Sequence, residues 1–153
     1  MEISGTKEAH VAAPRKGCYD ILTNYEAFPQ WWPGCKSASL VDGGSASEQD
    51  VALVFDTNSP VGEVECVIRF RVEPPERVRP ERLSGRLSRL NGDGWLLTDR
   101  GDGTTDIRYS VSAALDTGLP GLVERPFKSK AKYFFVEAPV EALKQRAEAG
   151  SGG

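Results

Sequence analysis

The chain has one histidine and three cysteines in 153 residues, and those scarcities exclude a good deal. A Ser-His-Asp or Cys-His nucleophilic site would have to be built on His10. That residue falls on the polar face of the first predicted strand, beside Glu8, which is where a solvated edge histidine belongs. Cys18, Cys35 and Cys66 are odd in number, widely spaced and form no CxxC. They fit neither a fully paired disulfide framework nor a zinc knuckle, and read as reduced, buried thiols. No His, Cys or carboxylate cluster stands at metal-ligand spacing, and the glycine turns follow neither a GxGxxG nor a P-loop pattern. No metal and no cofactor are therefore expected. No apolar run approaches the ~20 residues of a membrane span, so no integral membrane association is expected. Residues 1–10 lack the basic and apolar regions of a signal peptide, and the expected location is cytoplasmic. A net charge of −3 argues against DNA and other general polyanion partners.

What is present is an ordinary globular composition, 39% hydrophobic and 27% charged, of a length that suits one domain. Residues 1–147 read as that domain and 148–153, small and polar, as a disordered tail. A monomer is expected. Residues Ile3 to Ala13 alternate weakly as a first strand, and Pro14 suits the first turn of a helix carrying Cys18, Ile21, Leu22 and Tyr25. Phe28-Pro29 breaks that helix. Trp31 and Trp32 are placed on a second short helix ended by Pro33-Gly34.

The period then switches to two. Strands are predicted at Ser37–Val41, Gln49–Asp56, Val64–Val72, Arg77–Leu90, Trp95–Asp99 and Thr105–Leu115. Turn signals lie at Asp42–Ser45, Asn58–Pro60, Pro74-Pro75, Asn91–Gly94 and Gly101–Gly103. After Gly118–Gly121 the pattern becomes helical, with one stripe on Val123, Phe127, Ala131, Phe134 and Ala138. A second stripe runs through Tyr133, Val136, Val140, Leu143 and Ala147. Two stripes mean a helix buried on more than one side, and Pro126 and Pro139 should kink or divide it. Consecutive strands with short turns form an antiparallel meander, whose apolar face needs a cover. Only the C-terminal helix is long enough to supply it.

The run from Val11 to Cys35, V-A-A-P followed by Y-D-I-L-T-N-Y-E-A-F-P-Q-W-W-P-G-C, resembles the START/Bet v1-like (SRPBCC) superfamily. The likeness is to bacterial polyketide cyclase/dehydrase and coenzyme Q-binding proteins in particular. Trp95 after its glycine turn and Gly101–Thr104 look like theirs as well, and the resemblance covers about Ser4 to Ala147. It implies an α+β helix-grip fold: a seven-stranded antiparallel sheet around a long C-terminal helix, with two short N-terminal helices and a hydrophobic cavity between. That superfamily includes lipid carriers, quinone binders, cyclases and antibiotic-resistance proteins, so the fold does not choose a function.

Ligand-lining candidates are Trp32, Phe55, Phe70, Trp95, Tyr109, Phe127 and Phe134; Phe135 completes the aromatics on elements that should meet inside. The first reading is a binding protein for a lipid, a quinone or an aromatic polyketide-like product, serving sequestration, presentation or self-protection. The C-terminal helix and the turns at Thr57–Gly62 and Gly118–Gly121 would gate it. The second is a polyketide aromatase/cyclase, with an acyl carrier protein as possible partner. Its catalytic candidates are Tyr109, Arg86 and Asp99, with Arg69 and Arg82 as further polar groups. A third reading uses the seven arginines between 69 and 89 to dock a ribosome or RNA, against a bland alternative of a solvated sheet face.

Overall fold

A computed structural model describes residues 1–151. Seven antiparallel strands form one sheet. They are β1 (Glu2–Val11), β2 (Cys35–Val41), β3 (Glu48–Asp56), β4 (Glu63–Glu73), β5 (Arg77–Gly85), β6 (Leu87–Asp99) and β7 (Thr105–Leu115). Their spatial order is β1-β7-β6-β5-β4-β3-β2, so every pairing but one is between chain neighbours. The exception, β1 with β7, closes the N-terminal strand onto the last one. Period-two alternation sets the inner face: Val64, Cys66, Ile68 and Phe70 of β4 are buried, as are Ile107, Tyr109, Val111, Ala113 and Leu115 of β7.

Two short helical pieces connect β1 to β2: α1 (Arg15–Thr23) and a 3₁₀ turn (Tyr25–Gln30). Thr105, fully buried, donates its hydroxyl to the Ala13 carbonyl at 2.8 Å. That bond fixes the strand end from which Pro14 launches α1. Pro29 lies inside the 3₁₀ turn, and the two tryptophans follow it: Trp31 and Trp32 stand just past the turn, not on a second α-helix. The Trp31 and Trp32 amides both donate to the Phe28 carbonyl.

The C-terminal region is one helical path in pieces. These are α2 (Gly121–Glu124), a 3₁₀ turn (Arg125–Phe127), α3 (Lys128–Lys132), a π-helical turn (Tyr133–Glu137) and α4 (Ala138–Ser151). Pro126 sits in the 3₁₀ break, and Pro139 stands in the first turn of α4 directly behind the π turn. Val136, Val140, Leu143 and Ala147 are buried against β1 and α1, so the second sequence stripe is the core-facing one. Helix α4 continues to Ser151, past the boundary drawn at 147. Glu148 accepts hydrogen bonds from the Ala12 amide and the Lys144 ammonium, both at 2.9 Å. Residues 148–151 are thus helical and not a disordered tail; Gly152 and Gly153 lie outside the described residues.

One turn was misplaced by sequence reading. Asn91–Gly94 is not a hairpin: β6 runs straight through it, and the turn falls instead at Gly85-Arg86. The glycines serve bulges. Register shifts occur between Leu87 and Arg89 and between Asn91 and Gly94. Gly94 has φ +69, and a Cβ there would lie 2.3 Å from the Val78 carbonyl oxygen. Gly85, at φ +106, is equally pressed against the Glu65 carbonyl. A side chain fits at neither, so glycine marks strand crowding here and not chain reversal.

Candidate functional site

An apolar cavity of about 60 Å³ lies between the inner sheet face and the π turn. Its walls come from the inward residues of six strands, all but β2, closed by Trp32 on one side and Phe135 on the other. No charged side chain lines it. The lining residues whose side chains carry a polar atom are Tyr109, Cys66 and Trp32.

The aromatics around it form a continuous network. Tyr109 stacks on Trp95 with ring centroids 4.1 Å apart and planes 19° from parallel. Trp95 in turn meets Trp32 edge-on at 5.9 Å, and Trp32 lies 6.2 Å from Phe55. Phe28, fully buried, touches Trp31, Trp32 and Phe70 and anchors the tryptophan turn to the sheet. Such contacts add to area burial and hold each ring in one orientation.

Tyr109 is the chemically distinctive residue. Its side chain is buried, and no group among the described residues hydrogen-bonds its hydroxyl. Burial pushes the phenol well above its ordinary range, so it stays protonated and acts as a donor. The Cys66 thiol is pushed up to about 12 by the same desolvation, with nearby Cys35 adding to it, and is inert as a nucleophile at neutral pH. The side-chain atoms buried outright without a hydrogen-bond partner among the described residues are Trp31 Nε1 and Glu81 Oε2. The Tyr109 oxygen instead faces the cavity, where an entering acceptor, water included, can bond it.

Of the seven sequence candidates for ligand contact, Trp32, Phe55, Phe70 and Tyr109 line this cavity. Trp95 does not; it is 1% exposed and supports Tyr109 from behind. Phe127 and Phe134 line a neighbouring outer pocket. The Phe134 ring fills the space over Gly34, whose absent Cβ would fall 2.4 Å from Phe134 Cζ.

The other catalytic candidates lie elsewhere. Asp99 is exposed at the end of β6, where its Oδ1 accepts from the Gly101 amide at 2.8 Å. Alternation no longer dictates burial at a strand terminus, so sharing a face with Trp95 did not bring Asp99 inside. Arg86 is a clamp. Its guanidinium donates to the carbonyls of Val61, Glu63, Asp116 and Thr117 and ties two loops together. Arg82 donates to the Leu87 and Gly85 carbonyls across the β5–β6 turn. Arg69 pairs with Asp50 at 2.9 Å on the opposite sheet face. Arg71 and Arg89 also hold acidic partners, Glu48 with Glu81 and Glu2 respectively. The arginine-rich stretch is thus largely spent on internal pairing. His10 bonds to Asp106 on the outer face, which also receives Arg100 at 2.7 Å.

Sequence reading missed Pro80, Leu87 and Leu90 as lining residues. Bulges on β6 put Leu87 and Leu90 out of simple alternation, while Pro80 keeps step with Val78 on the inner face of β5. Leu53, Val64, Ile68 and Val111 followed from period two once the inner face was assigned. Among the described residues no group of three or more His, Cys, Asp or Glu is arranged to hold a metal. No described helix is long and apolar enough to cross a membrane.

With the sheet wrapped on a long C-terminal helix and an apolar cavity between, the architecture is that of the START/Bet v1-like helix-grip class. The family of polyketide cyclase/dehydrase and lipid transport proteins matches residues 11–138, and the chain belongs to it. Among solved structures, the Zhui aromatase/cyclase from a Streptomyces species superposes with a TM-score of 0.82 at 15% identity. That alignment covers 99% of this chain and 96% of that one. A STAR-related lipid transfer protein from Xanthomonas axonopodis gives a TM-score of 0.75 at 21% identity over 93% of this chain and 84% of that one. A START superfamily protein from Mycobacterium smegmatis gives 0.71 at 15% identity, over 95% and 97%. At such identities the likeness shows the fold alone. No curated protein matches the sequence.

Proposed function

We propose that the protein binds an apolar small molecule carrying a hydrogen-bond acceptor, in the cavity between sheet and C-terminal helix, for sequestration or presentation. The observation that carries this reading is the lining itself: apolar walls, no charge, and the unpartnered Tyr109 hydroxyl. An apolar body gains from leaving water, and a carbonyl or quinone oxygen gives the phenol its missing partner. A lipid, a quinone and an aromatic polyketide all meet that description. Capture of a toxic product for self-protection would need no more than this.

The cavity's present volume, about 60 Å³, suits a few waters. It is well below the roughly 300–1,000 Å³ of a site for a drug-sized ligand. Binding must therefore displace part of the cover, and the helix in pieces between Gly121 and Glu137 is the part that can yield. Cyclisation of a carrier-bound poly-β-ketone is the second reading, favoured by the buried phenol as a proton donor. Ring closure also needs a base to take a carbon-bound proton. Tyr109 and Cys66 are both held protonated, so the lining favours binding over turnover.

Intrinsic tryptophan fluorescence tests the binding reading, with a naphthyl ketone titrated against the parent naphthalene. The ketone should bind saturably and more tightly than the hydrocarbon, with Tyr109→Phe erasing the difference at about a tenfold cost. Equal affinities for the two probes in both proteins would sink the role of Tyr109. Turnover of a poly-β-ketone thioester by the wild type would overturn the non-catalytic reading.

A further inference from the structure

A second apolar cavity, also of about 60 Å³, adjoins the first. The two share one wall residue, Phe135. The chambers follow one another along the sheet: on β7 the inner takes Ala113 and the outer Leu115, two residues on one strand face, roughly 6.6 Å apart. Met1, just before β1, and Thr57, just after β3, likewise stand in the outer chamber two positions from Ile3 and Phe55 of the inner one. Phe135 is the one side chain that both walls have in common.

Phe135 stands on the π turn Tyr133–Glu137, a distortion common at functional positions and costly to keep without a use. It is half-buried, and its ring meets Phe134 edge-on at 4.9 Å. Phe134 is itself wedged over Gly34 and against Phe55. Phe134 is thus the fixed member of the pair and Phe135 the free one. The preceding pieces from Gly121 to Lys132 have no side-chain caps, and Leu122, Val123 and Tyr133 are exposed. Such a segment opens at low cost.

The outer chamber differs in chemistry. Thr57, Asn58, Ser59 and Lys130 stand at its rim. The Thr57 hydroxyl is already committed to Ser59 and to the Gly62 carbonyl. Lys130 makes no ion pair among the described residues; the Asn58 backbone N–H donates to Asp56 Oδ1 at 2.9 Å, while its side-chain carboxamide meets no partner there. An ammonium and an amide donor at the mouth of an apolar channel suit a carboxylate.

We infer that the two chambers form one channel gated by Phe135, and that it takes a carboxylic acid whose chain carries a carbonyl, chain inward so that this carbonyl meets the Tyr109 hydroxyl and carboxylate at Lys130; plain n-alkyl acids, which lack the carbonyl, probe the channel and its gate alone. This rests on the proposed binding function and specifies the ligand class. Short acids occupy the outer chamber without disturbing Phe135; longer ones must turn its ring aside to reach the inner one. Phe135 then sets chain-length preference, and Lys130 sets the preference for an acid over its ester.

Calorimetric titration with n-alkyl carboxylic acids from butanoate to tetradecanoate, and with their methyl esters, tests the assignment. In the wild type, affinity should rise about three- to fourfold per added methylene as each is buried. With Phe135→Trp the rise should stop once the tail reaches the divide, leaving short acids unchanged. With Phe135→Ala, or Phe135→Leu where alanine loosens the turn, long acids should bind several-fold tighter. Lys130→Gln, an exposed position, should weaken acids about threefold and leave the esters unchanged. Binding with the same chain-length profile in wild type and both classes of Phe135 variant would overturn the gate while leaving the binding function intact. Equal losses for acid and ester at Lys130→Gln would overturn the carboxylate assignment. No binding of any member by any variant would overturn the binding function itself, and the gate with it.

Discussion

At the residue scale, the most informative group is a hydroxyl with no protein group to bond. Tyr109 has Trp95 stacked beneath its ring and an apolar cavity in front of its oxygen. Removing the oxygen should cost little stability. Tyr109→Phe is expected to fall within about 1 kcal/mol of wild type in urea denaturation, because the hydroxyl bonds no group among the described residues. A loss above 2 kcal/mol would mean that the hydroxyl has a structural partner. Arg86 is the opposite case. Its side chain was a catalytic candidate by sequence, yet it serves four backbone carbonyls from two loops. Arg86→Ala should cost about 1–3 kcal/mol and leave the cavity lining in place; retained ligand affinity alongside a lowered urea midpoint would check this.

At the scale of elements, strands with clean alternation were legible and irregular ones were not. The inward faces of β3, β4 and β7 follow from Val51-Leu53-Phe55, Val64-Cys66-Ile68-Phe70 and Ile107-Tyr109-Val111, since each apolar residue can be buried only on one face. The Asn-Gly-Asp-Gly run in β6 was misread because a bulge and a type I′ turn ask for the same residue, glycine at positive φ. Only the neighbouring strand distinguishes them. Gly94→Ala should therefore act through the sheet: φ +69 combined with a Cβ 2.3 Å from the Val78 carbonyl is expected to cost about 2–3 kcal/mol. Smaller losses, about 1 kcal/mol, should follow at Gly101 (φ +82) or Gly103 (φ +84), where the positive φ strains alanine but its Cβ meets nothing. Equal losses at Gly94 and Gly101 in thermal unfolding would contradict the bulge account. The C-terminal helix was legible from its apolar stripes and its break at Pro126, but its buried positions run only from Val136 to Ala147, while Val123 and Tyr133 are exposed. Its π turn was not, because no residue pattern marks an i→i+5 bond.

At the scale of the whole molecule, the ionisable groups bound a stability plateau. Asp106 is held below its ordinary value first by His10 and then by Arg100, and Asp50 by Arg69. Carboxylates depressed in the folded state bind protons more readily when unfolded, so their contribution is present above about pH 4 and is lost as pH falls below it. The buried thiols work the other way. Cys35 is pushed up to about 11 and Cys66 to about 12, so the unfolded chain ionises first, and stability should decline as pH rises above about 9. Urea midpoints measured from pH 2 to 11 should thus be flat between about pH 5 and 8 and fall on both sides; an unchanged midpoint at pH 10.5 would contradict the burial of the thiols. The helix-grip architecture itself was readable from the order of patterns, a meander followed by one long helix. Its content was not, because lining and core use the same residue types, and only the geometry separates Tyr109 from Trp95 or Phe55 from Phe134. The central claim is that this apolar interior admits a ligand beside Tyr109. Aromatic-selective NMR of the wild type during titration with a naphthyl ketone tests it most directly. Saturable one-to-one shifts centred on Tyr109, Trp32, Phe55 and Phe70 are predicted, with intermolecular contacts from the Tyr109 ring to the probe. An unperturbed interior, or shifts confined to the outer sheet face around His10 and Asp106, would contradict it.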